Sequence, residues 1–338
     1  MNIDVPGYGS DQSGLVYGYL FAPGHSGRAL TSAEAIEWLD KSGNQASAGF
    51  IWLHFSLASA ATETWLKDQL TLSEIFFEAL HDGPRSTRVE YADGTLIAVI
   101  NDVLYDFAYD ASDISTLWLS VDDRVLVSAR TKPLRAIERL RASVKAGETF
   151  RSSVELLVHL LRDQAEVLVQ IVRSIIKKVD EIEDKLLAER LDHKRANLGQ
   201  LRRLLVRLQR LLAPEPAALF RLLSRPPAWI SEPDVQELRQ SSEEFSVALN
   251  DLTALQERIK LLQEEIAARI NEQNSRSLFV LTIVTVLALP INIIAGLLGM
   301  NVGGIPLAQH THGFWIVVAI VASFTVVAGW LVFRNRRE

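Results

Sequence analysis

Residues Ser277–Asn301 read SLFVLTIVTVLALPINIIAGLLGMN and contain no charged side chain. A helical run of this length is sufficient to cross a hydrocarbon core of about 30 Å. Polar and small residues recur in it at steps of seven, four and three, which places them on one helix face: Thr285, Asn292, Gly296 and Gly299. Because an unpaired amide or hydroxyl in lipid costs free energy, this polar stripe is predicted to face away from lipid. Several copies of the span around one axis would form a channel.

A second uncharged run, Gly313–Phe333, predicts a second membrane span. The connection between the spans, residues 299–312, has no Lys, Arg, Asp or Glu, and basic residues flank the outer ends of the pair: Arg269, Arg276, Arg334, Arg336 and Arg337. Positive charge is enriched on the cytoplasmic side of membrane proteins. We therefore predict a multi-pass protein of the cell inner (plasma) membrane, with both termini in the cytoplasm.

The composition excludes several classes of function. The chain has 338 residues and no cysteine, so it has neither a disulfide framework nor a zinc–thiolate site. Its net charge of −6 and the lack of aromatic residues among its arginines disfavour nucleic-acid binding. No nucleotide-binding loop or nucleophile motif is found, which indicates that the protein is not an enzyme and needs no cofactor.

Residues 1–132 are predicted to form an α/β domain. Aromatic and β-branched residues predict strands at Gly14–Phe21 and Gly49–Leu57, and a hydroxyl N-cap at Thr31 or Ser32 precedes a helix. Two hairpins should follow, the first turning at Asp93-Gly94 and the second at Asp122-Asp123.

Residues 133–276 are predicted to form a long-helix stalk, because apolar residues recur there at heptad-like spacing. Three such seams occur, starting at Val154, Leu198 and Phe245, and the third is expected to continue as one helix to Leu298. Arginines of the second seam are expected to face acidic residues of the first. With residues 277–338 as the membrane domain, the fold class is an α+β membrane protein: an N-terminal cytoplasmic α/β domain, a coiled-coil-like stalk and two C-terminal transmembrane helices.

The tripeptide Gly299-Met300-Asn301 at the end of the first of two C-terminal spans resembles the signature of the CorA family of divalent-cation transporters. The segment PINIIAGLLGMN, from Pro290, resembles the first span of that family, and the whole architecture matches it. The continuation NVGGIP, from Asn301 to Pro306, is similar to the zinc-transporting ZntB branch.

The resemblance implies a homopentamer with a funnel of long helices, the first span lining a central pore and the second outside it. Asn301 would form the selectivity filter at the pore mouth, shaped by Gly299 and Met300. The stripe residues would line the pore together with two leucines that would constrict it: Leu281, Thr285, Leu289, Asn292 and Gly296. Other roles remain open from the residues alone, namely a helix C-cap for Asn301, an interhelical hydrogen bond for Asn292 and a bond to its own helix for Thr285.

The predicted cargo is Zn²⁺, with Cd²⁺, Ni²⁺, Co²⁺ and Mg²⁺ as further candidates, and uptake driven by a proton gradient is implied by the ZntB resemblance. His310 and His312 in the loop are candidate metal ligands, since imidazole suits zinc better than magnesium. The predicted partners are further copies of the chain, the lipid bilayer and the metal ion. The alternatives are a Mg²⁺, Co²⁺ or Ni²⁺ channel of the same fold and a membrane-anchored signalling or scaffold protein.

Overall fold

A seven-stranded sheet lies at the centre of the N-terminal part of the molecule. The computed structural model describes residues 9–41, 49–83, 87–187, 195–300 and 310–334. The strands lie in the order β2-β1-β3-β7-β6-β5-β4, in which β3 and β7 are parallel and the other neighbours antiparallel. Their bounds are β1 Leu15–Phe21, β2 Arg28–Leu30, β3 Phe50–Ser56, β4 Arg88–Ala92, β5 Thr95–Val103, β6 Ile114–Val121 and β7 Val125–Arg130.

Helices follow and interrupt these strands along the chain. Their bounds are α1 Ser32–Lys41, α2 Ala61–Gln69, α3 Glu74–His81, α4 Arg135–Lys145, α5 Ser153–Leu187, α6 Arg195–Leu212, α7 Pro214–Leu223, α8 Glu232–Leu298 and α9 Gly313–Arg334. The predicted strands and hairpins are confirmed, and the helices of the C-terminal part are long, as the heptad-like spacing indicated.

Both faces of the sheet are buried at its central strands, which explains why β3, β5, β6 and β7 are largely apolar, whereas the edge strands β2 and β4 are partly exposed. In β5, Leu96, Ala98 and Ile100 pack in one core with residues of α4, α5, α7 and the start of α8. Ile97 and Val99 point to the other face and pack with residues of α1, α2 and α3. This alternation follows from the two-residue period of a strand. The α/β domain therefore has three layers, with helices on both sides of the sheet.

The local signals of the sequence correspond to specific backbone geometry. Thr31 and Glu34 form a capping box at the start of α1, with Thr31 N donating to Glu34 Oε2 at 2.7 Å and Glu34 N to Thr31 Oγ1 at 3.3 Å. Asp93 and Gly94 have φ angles of 51° and 82°, as a primed turn between two antiparallel strands requires. Asp122 Oδ1 accepts from the backbone N–H groups of Arg124 and Val125, which closes the second hairpin.

The apolar seams of the stalk helices are buried as predicted. The buried residues are Val154, Leu157, Leu161, Leu168, Ile171, Ile175, Val179, Ile182 and Leu186 of α5, Leu198, Leu201, Leu205, Leu208 and Leu212 of α6, and Phe245, Leu252, Leu255, Ile259, Leu262 and Ile266 of α8. Side chains also join α6 to α8, since Gln209 Nε2 donates to Thr253 Oγ1 at 2.9 Å.

The expected pairing of the α6 arginines with acidic residues of α5 is wrong. Asp180 and Glu183 of α5 instead bind Arg258 of α8, with a distance of 2.7 Å to Asp180. Arg202 of α6 donates to Gln263 of α8 at 3.2 Å. The physical reason is that α8 packs along both helices and offers partners to each. Three elements were not predicted individually: β2, α4 and α7, the last of which begins at the proline that follows α6.

The chain divides into two compact units, Met1–Gln263 and Glu264–Glu338, so that α8 contributes to both. Over the described residues, α8 carries a stretch long and apolar enough to cross a membrane, and Gly313–Val327 of α9 is a shorter apolar stretch. The two C-terminal transmembrane helices of the predicted fold class are α9 and the C-terminal part of α8. The domain boundaries at residues 132 and 276 stay predictions.

Candidate functional site

The polar stripe lies on an exposed face of α8. Leu281 and Leu289 are 62% and 57% exposed, and Thr285, Asn292 and Gly296 between and beyond them are also exposed. Within the C-terminal unit, these side chains are therefore not covered by α9.

The face of α8 that turns toward α9 differs from the face that carries Thr285 and Asn292. A groove of about 780 Å³ lies between the two helices, and its apolar lining includes Ile291, Ile294 and Leu298 of α8 and Phe314 and Val318 of α9. At about 100° per residue, the three α8 residues lie about 100° or more around the helix from Asn292. The second membrane helix thus packs beside the span and leaves Thr285, Asn292 and Gly296 of the stripe open, whereas Gly299 at the end of the stripe borders the groove.

Thr285 bonds to its own helix. Its Oγ1 donates to the carbonyl oxygen of Leu281 at 2.9 Å, and Thr325 of α9 makes the same contact with Val321 at 2.8 Å. This bond uses the hydroxyl proton and leaves the oxygen able to accept a further hydrogen bond. Thr285 can therefore contribute an acceptor to the exposed face without leaving its own donor unsatisfied.

The end of α8 positions the glycine of the tripeptide. The helix ends at Leu298, and the N–H of Gly299 donates to the carbonyl oxygen of Ala295 at 2.9 Å. Met300 is 50% exposed. Asn301, the proposed filter residue, lies outside the described residues together with the rest of the segment NVGGIP.

The two loop histidines lie close together just before α9. Their ring centroids are 6.3 Å apart, and the N–H of His312 is within 3.3 Å of His310 Nδ1. His310 also borders the groove between α8 and α9. No group of three or more potential metal ligands occurs within the described part of the chain. A complete zinc site would therefore require ligands from water or from other residues.

The span presents dipoles rather than charges. Between Ser277 and Met300 the sequence has no ionisable side chain, so the exposed polar atoms are the amide of Asn292 and the hydroxyls of Ser277, Thr282 and Thr285. The polar stripe was predicted from the sequence, whereas the groove was not. The sequence nevertheless contains a pattern that indicates the groove. Ile291, Ile294 and Leu298 are related by steps of three and four, as residues of a helix-packing face are.

The comparisons with known proteins place the whole chain in one family. The family model described as "CorA-like Mg2+ transporter protein" matches residues 47–337. The chain is 30% identical over 332 residues to the divalent cation transporter CmaX of Pseudomonas aeruginosa, with 97% of each chain covered. It is 24% identical over 290 residues to the zinc transport protein ZntB of Yersinia pseudotuberculosis, covering 84% of this chain and 87% of that protein.

The solved structures agree with the sequence comparisons. The structure of full-length CmaX has a TM-score of 0.79 and 27% identity to this chain, covering 97% of this chain and 99% of that one. The CorA resemblance seen at Gly299-Met300-Asn301 is thus confirmed, and the relatives named ZntB support the branch. The chain belongs to the CorA-like family of divalent-cation transporters, and it is a membrane transporter rather than an enzyme.

Proposed function

We propose that the protein is a homopentameric inner-membrane transporter that takes up Zn²⁺ through a central pore lined by the C-terminal part of α8. The observation that carries this proposal is the polar stripe, whose residues Thr285, Asn292 and Gly296 are exposed in the single chain and do not line the groove beside α9. Lipid offers no partner for the amide of Asn292, and burial without a partner is unfavourable. Copies of the stripe arranged around water satisfy these groups and create a path for ions.

The stripe supplies rings of different character to such a pore. Asn292 and Thr285 give rings of neutral oxygens, and Gly296 allows close approach of neighbouring helices. Leu281 and Leu289 give apolar rings, and hydrophobic constrictions can close a pore by dewetting. At the mouth, we propose that Asn301 forms the filter and that Gly299 and Met300 shape it.

Neutral oxygens favour passage of a hydrated ion. A small divalent cation holds its water strongly, and this span has no carboxylate to replace that water. An amide oxygen instead accepts a hydrogen bond from the water of the ion. We therefore propose that the cation crosses with at least part of its hydration shell and is released quickly.

Two observations favour zinc as the cargo. The chain aligns with ZntB of Yersinia pseudotuberculosis over 84% of its length. The imidazoles of His310 and His312 lie near each other, and imidazole binds zinc more readily than magnesium. We propose that these histidines collect zinc at the pore mouth. Cd²⁺, Ni²⁺ and Co²⁺ should compete for it more strongly than Mg²⁺.

The proposed orientation places both termini in the cytoplasm. Arg269 and Arg276 precede the first span, and Arg334 follows the second, whereas residues 299–312 carry no charge of either sign. The α/β domain (1–132) and the stalk (133–276) would then lie on the cytoplasmic side of the membrane domain (277–338).

The test of the cargo is metal flux through purified full-length protein in liposomes. We expect Zn²⁺ influx that excess Mg²⁺ inhibits only weakly, and an inward proton gradient should increase it. Saturable Mg²⁺ flux without Zn²⁺ flux would refute the zinc proposal. Zinc flux that is insensitive to the pH gradient would instead agree with zinc as the cargo and refute the proposed proton coupling.

The pore residues are tested in the same assay. Asn292→Leu and Asn301→Ala should each reduce Zn²⁺ flux at least about tenfold, because each removes a ring of oxygens that contacts the hydrated ion. Thr325→Val is the matched control, since it removes a helix-bonded hydroxyl from α9, and it should leave flux near wild type. Unchanged flux in both asparagine variants would exclude the stripe as the pore wall.

A second candidate is a Mg²⁺, Co²⁺ or Ni²⁺ channel of the same fold. The description of the matched family, which names Mg²⁺, favours this candidate, and CmaX is described only as a divalent cation transporter. The loop histidines discriminate between the two. Under the zinc proposal, His310→Ala together with His312→Ala raises the concentration of Zn²⁺ needed for half-maximal flux, whereas a magnesium channel should be unaffected.

A further inference from the structure

A carboxyl group is fully enclosed where the helices meet the sheet of the α/β domain. Glu215, in the first turn of α7, is only 1% exposed. Around it lie Gln164 of α5 and Asn101 and Asp102 of β5, which are 2%, 2% and 5% exposed. We refer to these four residues as the Glu215 cluster. The pore proposed above makes no use of it.

The hydrogen bonds of the cluster run through Gln164. Its Nε2 donates to the carbonyl oxygen of Asn101 at 2.8 Å and to Glu215 Oε2 at 3.1 Å. Its Oε1 is buried and finds no hydrogen-bond donor in the described ranges. An amide can donate and accept at once, and a protonated carboxyl can do the same. A carboxylic acid at Glu215 is therefore complementary to the side chain of Gln164, whereas a carboxylate leaves the Oε1 acceptor unused.

Asp102 is the member of the cluster that is built to hold the negative charge. Its Oδ1 accepts from the N–H of Val103 and its Oδ2 from the N–H of Ala136, each at 2.7 Å. Ala136 lies in the first turn of α4, where the helix dipole favours an anion. Among the described residues, Glu215 receives one neutral amide donor, Nε2 of Gln164. Two enclosed carboxyls near each other do not both ionise readily, so the proton belongs on Glu215.

The electrostatics agree with this assignment. Burial raises the pKa of Glu215 to about 8. The hydrogen bond from Gln164 acts to lower this pKa, and the negative charge of Asp102 acts to raise it further. Burial also raises the pKa of Asp102, to about 6, against the two backbone hydrogen bonds. At neutral pH the cluster therefore contains one proton on Glu215 and one negative charge on Asp102.

Asp102 is the charged group that acts on Glu215. Arg135 of α4 and Asp163 of α5 act on Asp102 instead. Asp163 is in turn bound by Arg139 at 3.1 Å. The other charged side chains of the neighbouring elements and of α7 itself are partly or fully exposed at the surface: Arg88, Glu90, Arg162, Glu166, Arg210 and Arg221. In the part of the chain that the structure describes, no cation therefore acts on Glu215 to replace the proton when it leaves.

We propose that Glu215 is a proton-binding site whose occupancy controls how firmly α7 packs on the sheet. In the protonated form its carboxyl accepts from Nε2 of Gln164 and donates to Oε1 of the same side chain. Loss of the proton leaves an enclosed anion beside Asp102 and an unsatisfied amide oxygen. The packing of α7 is then weakened, because Leu219, Leu222 and Leu223 of this helix form part of the core on that face of the sheet.

The direction of the pH dependence follows from the two protonation states. An exposed Glu215 has its ordinary pKa of 4.5 and an enclosed one a pKa of about 8. Between these values the packed form holds a proton that the opened form releases. The packing of α7 is therefore strongest below about pH 4.5 and weakens as the pH rises through about 8. Asp102 ionises near pH 6, so between about pH 6 and pH 8 the change in packing is due mainly to the proton of Glu215.

Infrared spectroscopy of the full-length protein in detergent tests the proton directly. At neutral pH we expect a carbonyl-stretching band of one protonated carboxylic acid, which disappears as the pH rises through about 8. The band should be absent in Glu215→Gln and retained in Glu243→Gln, a matched change at an exposed position of α8. Absence of the band in the wild-type protein at neutral pH, or its persistence in Glu215→Gln, would overturn the proposal.

Hydrogen exchange measures the packing of α7. Between about pH 6 and pH 8, the protection factor of α7 amides should fall by roughly tenfold per pH unit in the wild type and in Glu243→Gln, because opening releases one proton. In Glu215→Gln it should stay constant over this range. Equal slopes in all three proteins would refute the control of packing by this proton. Neither measurement depends on the transported ion, so the result is independent of the pore proposal.

Discussion

At the scale of single residues, His54 shows how the sheet accommodates a titratable group without solvent. The side chain is 0% exposed, its Nδ1 lies 2.8 Å from Ser128 Oγ, and its Nε2 accepts from Arg130 Nε at 3.0 Å. The ring of Tyr17 stacks on it with centroids 4.6 Å apart. Burial lowers the pKa of His54 well below its ordinary value, and the charges of Arg130 and Arg141 act in the same direction. The imidazole is therefore neutral and structural.

This arrangement predicts an acid-dependent loss of stability. Below the ordinary histidine pKa of 6.5 the unfolded chain binds a proton at His54 that the folded domain excludes, so the contribution of His54 to stability falls as the pH falls, opposite in sign to that of Glu215. The expected contribution is about 1.4 kcal/mol per pH unit below that value. Hydrogen exchange of the β3 amides as a function of pH measures it.

The control for His54 is the exposed His25, whose Nδ1 lies near the carbonyl oxygen of Pro23. His54→Gln should lose the acid-dependent term between about pH 6.5 and 5, although it is less stable at neutral pH because it removes the ring that stacks on Tyr17 and the Nδ1 that contacts Ser128. His25→Gln should behave as the wild type. An unchanged pH slope in His54→Gln would exclude His54 as its source.

At the scale of elements, α8 combines two environments in one helix. It is helical from Glu232 to Leu298 and includes Pro290 in its membrane part. Its N-terminal part buries a heptad-like seam, whereas its membrane part exposes apolar residues on most faces. The seam is what attaches the helix to α5 and α6. The ion pairs of Arg258 add less, since its side chain is 41% exposed and pairs at the surface contribute little.

The contribution of the seam can be measured with two neighbouring residues of α8. Ile259 is 0% exposed and Leu261 is 62% exposed. Ile259→Ala should lower the free energy of unfolding of the N-terminal unit by about 2–5 kcal/mol, because it leaves a cavity in the seam. Leu261→Ala should change it by less than about 0.5 kcal/mol. Denaturant unfolding of the full-length protein in detergent measures both changes. Equal losses of stability in the two variants would contradict the conclusion that the buried seam attaches α8.

At the scale of the whole molecule, the membrane unit of a single chain leaves both polar and bulky apolar side chains uncovered. The polar face of α8 is open, and bulky apolar side chains of α9 such as Phe314 and Trp315 are 72% and 67% exposed. Lipid can cover the apolar side chains, but it cannot satisfy the amide of Asn292. An assembly in which α8 faces inward and α9 faces the bilayer resolves both requirements.

Native mass spectrometry of the detergent-solubilised protein tests this assembly. We expect a mass of five copies of the 37.7 kDa chain. Replacing the stripe amide in Asn292→Leu should retain the pentamer, because most of the interface remains, while it reduces flux. A monomer or dimer as the dominant species, under conditions in which the liposome assay shows flux, would exclude the pentameric pore.

Much of this architecture could be predicted because its signals are local. A strand alternates every two residues, a packed helix repeats every three or four, and an uncharged run as long as Ser277–Leu298 has few alternatives to a membrane span. The polar stripe was visible for the same reason. The partners of the acidic residues Asp180 and Glu183 were mispredicted, because charge pairing depends on which helices become neighbours and not on the spacing within one helix.

The sequence alone predicted most of the strands and helices, though not β2, α4 and α7, and it predicted the two spans, the family signature and the polar stripe, since each of these depends on periodicity or on a contiguous motif. Only the tertiary structure decided that α9 leaves Thr285, Asn292 and Gly296 of the stripe uncovered. It also decided that Glu215, Gln164 and Asp102, which are far apart in sequence, meet in one enclosed cluster. The physical reason is that burial and hydrogen bonding depend on distances in space, which the folding of the sheet against the helices sets.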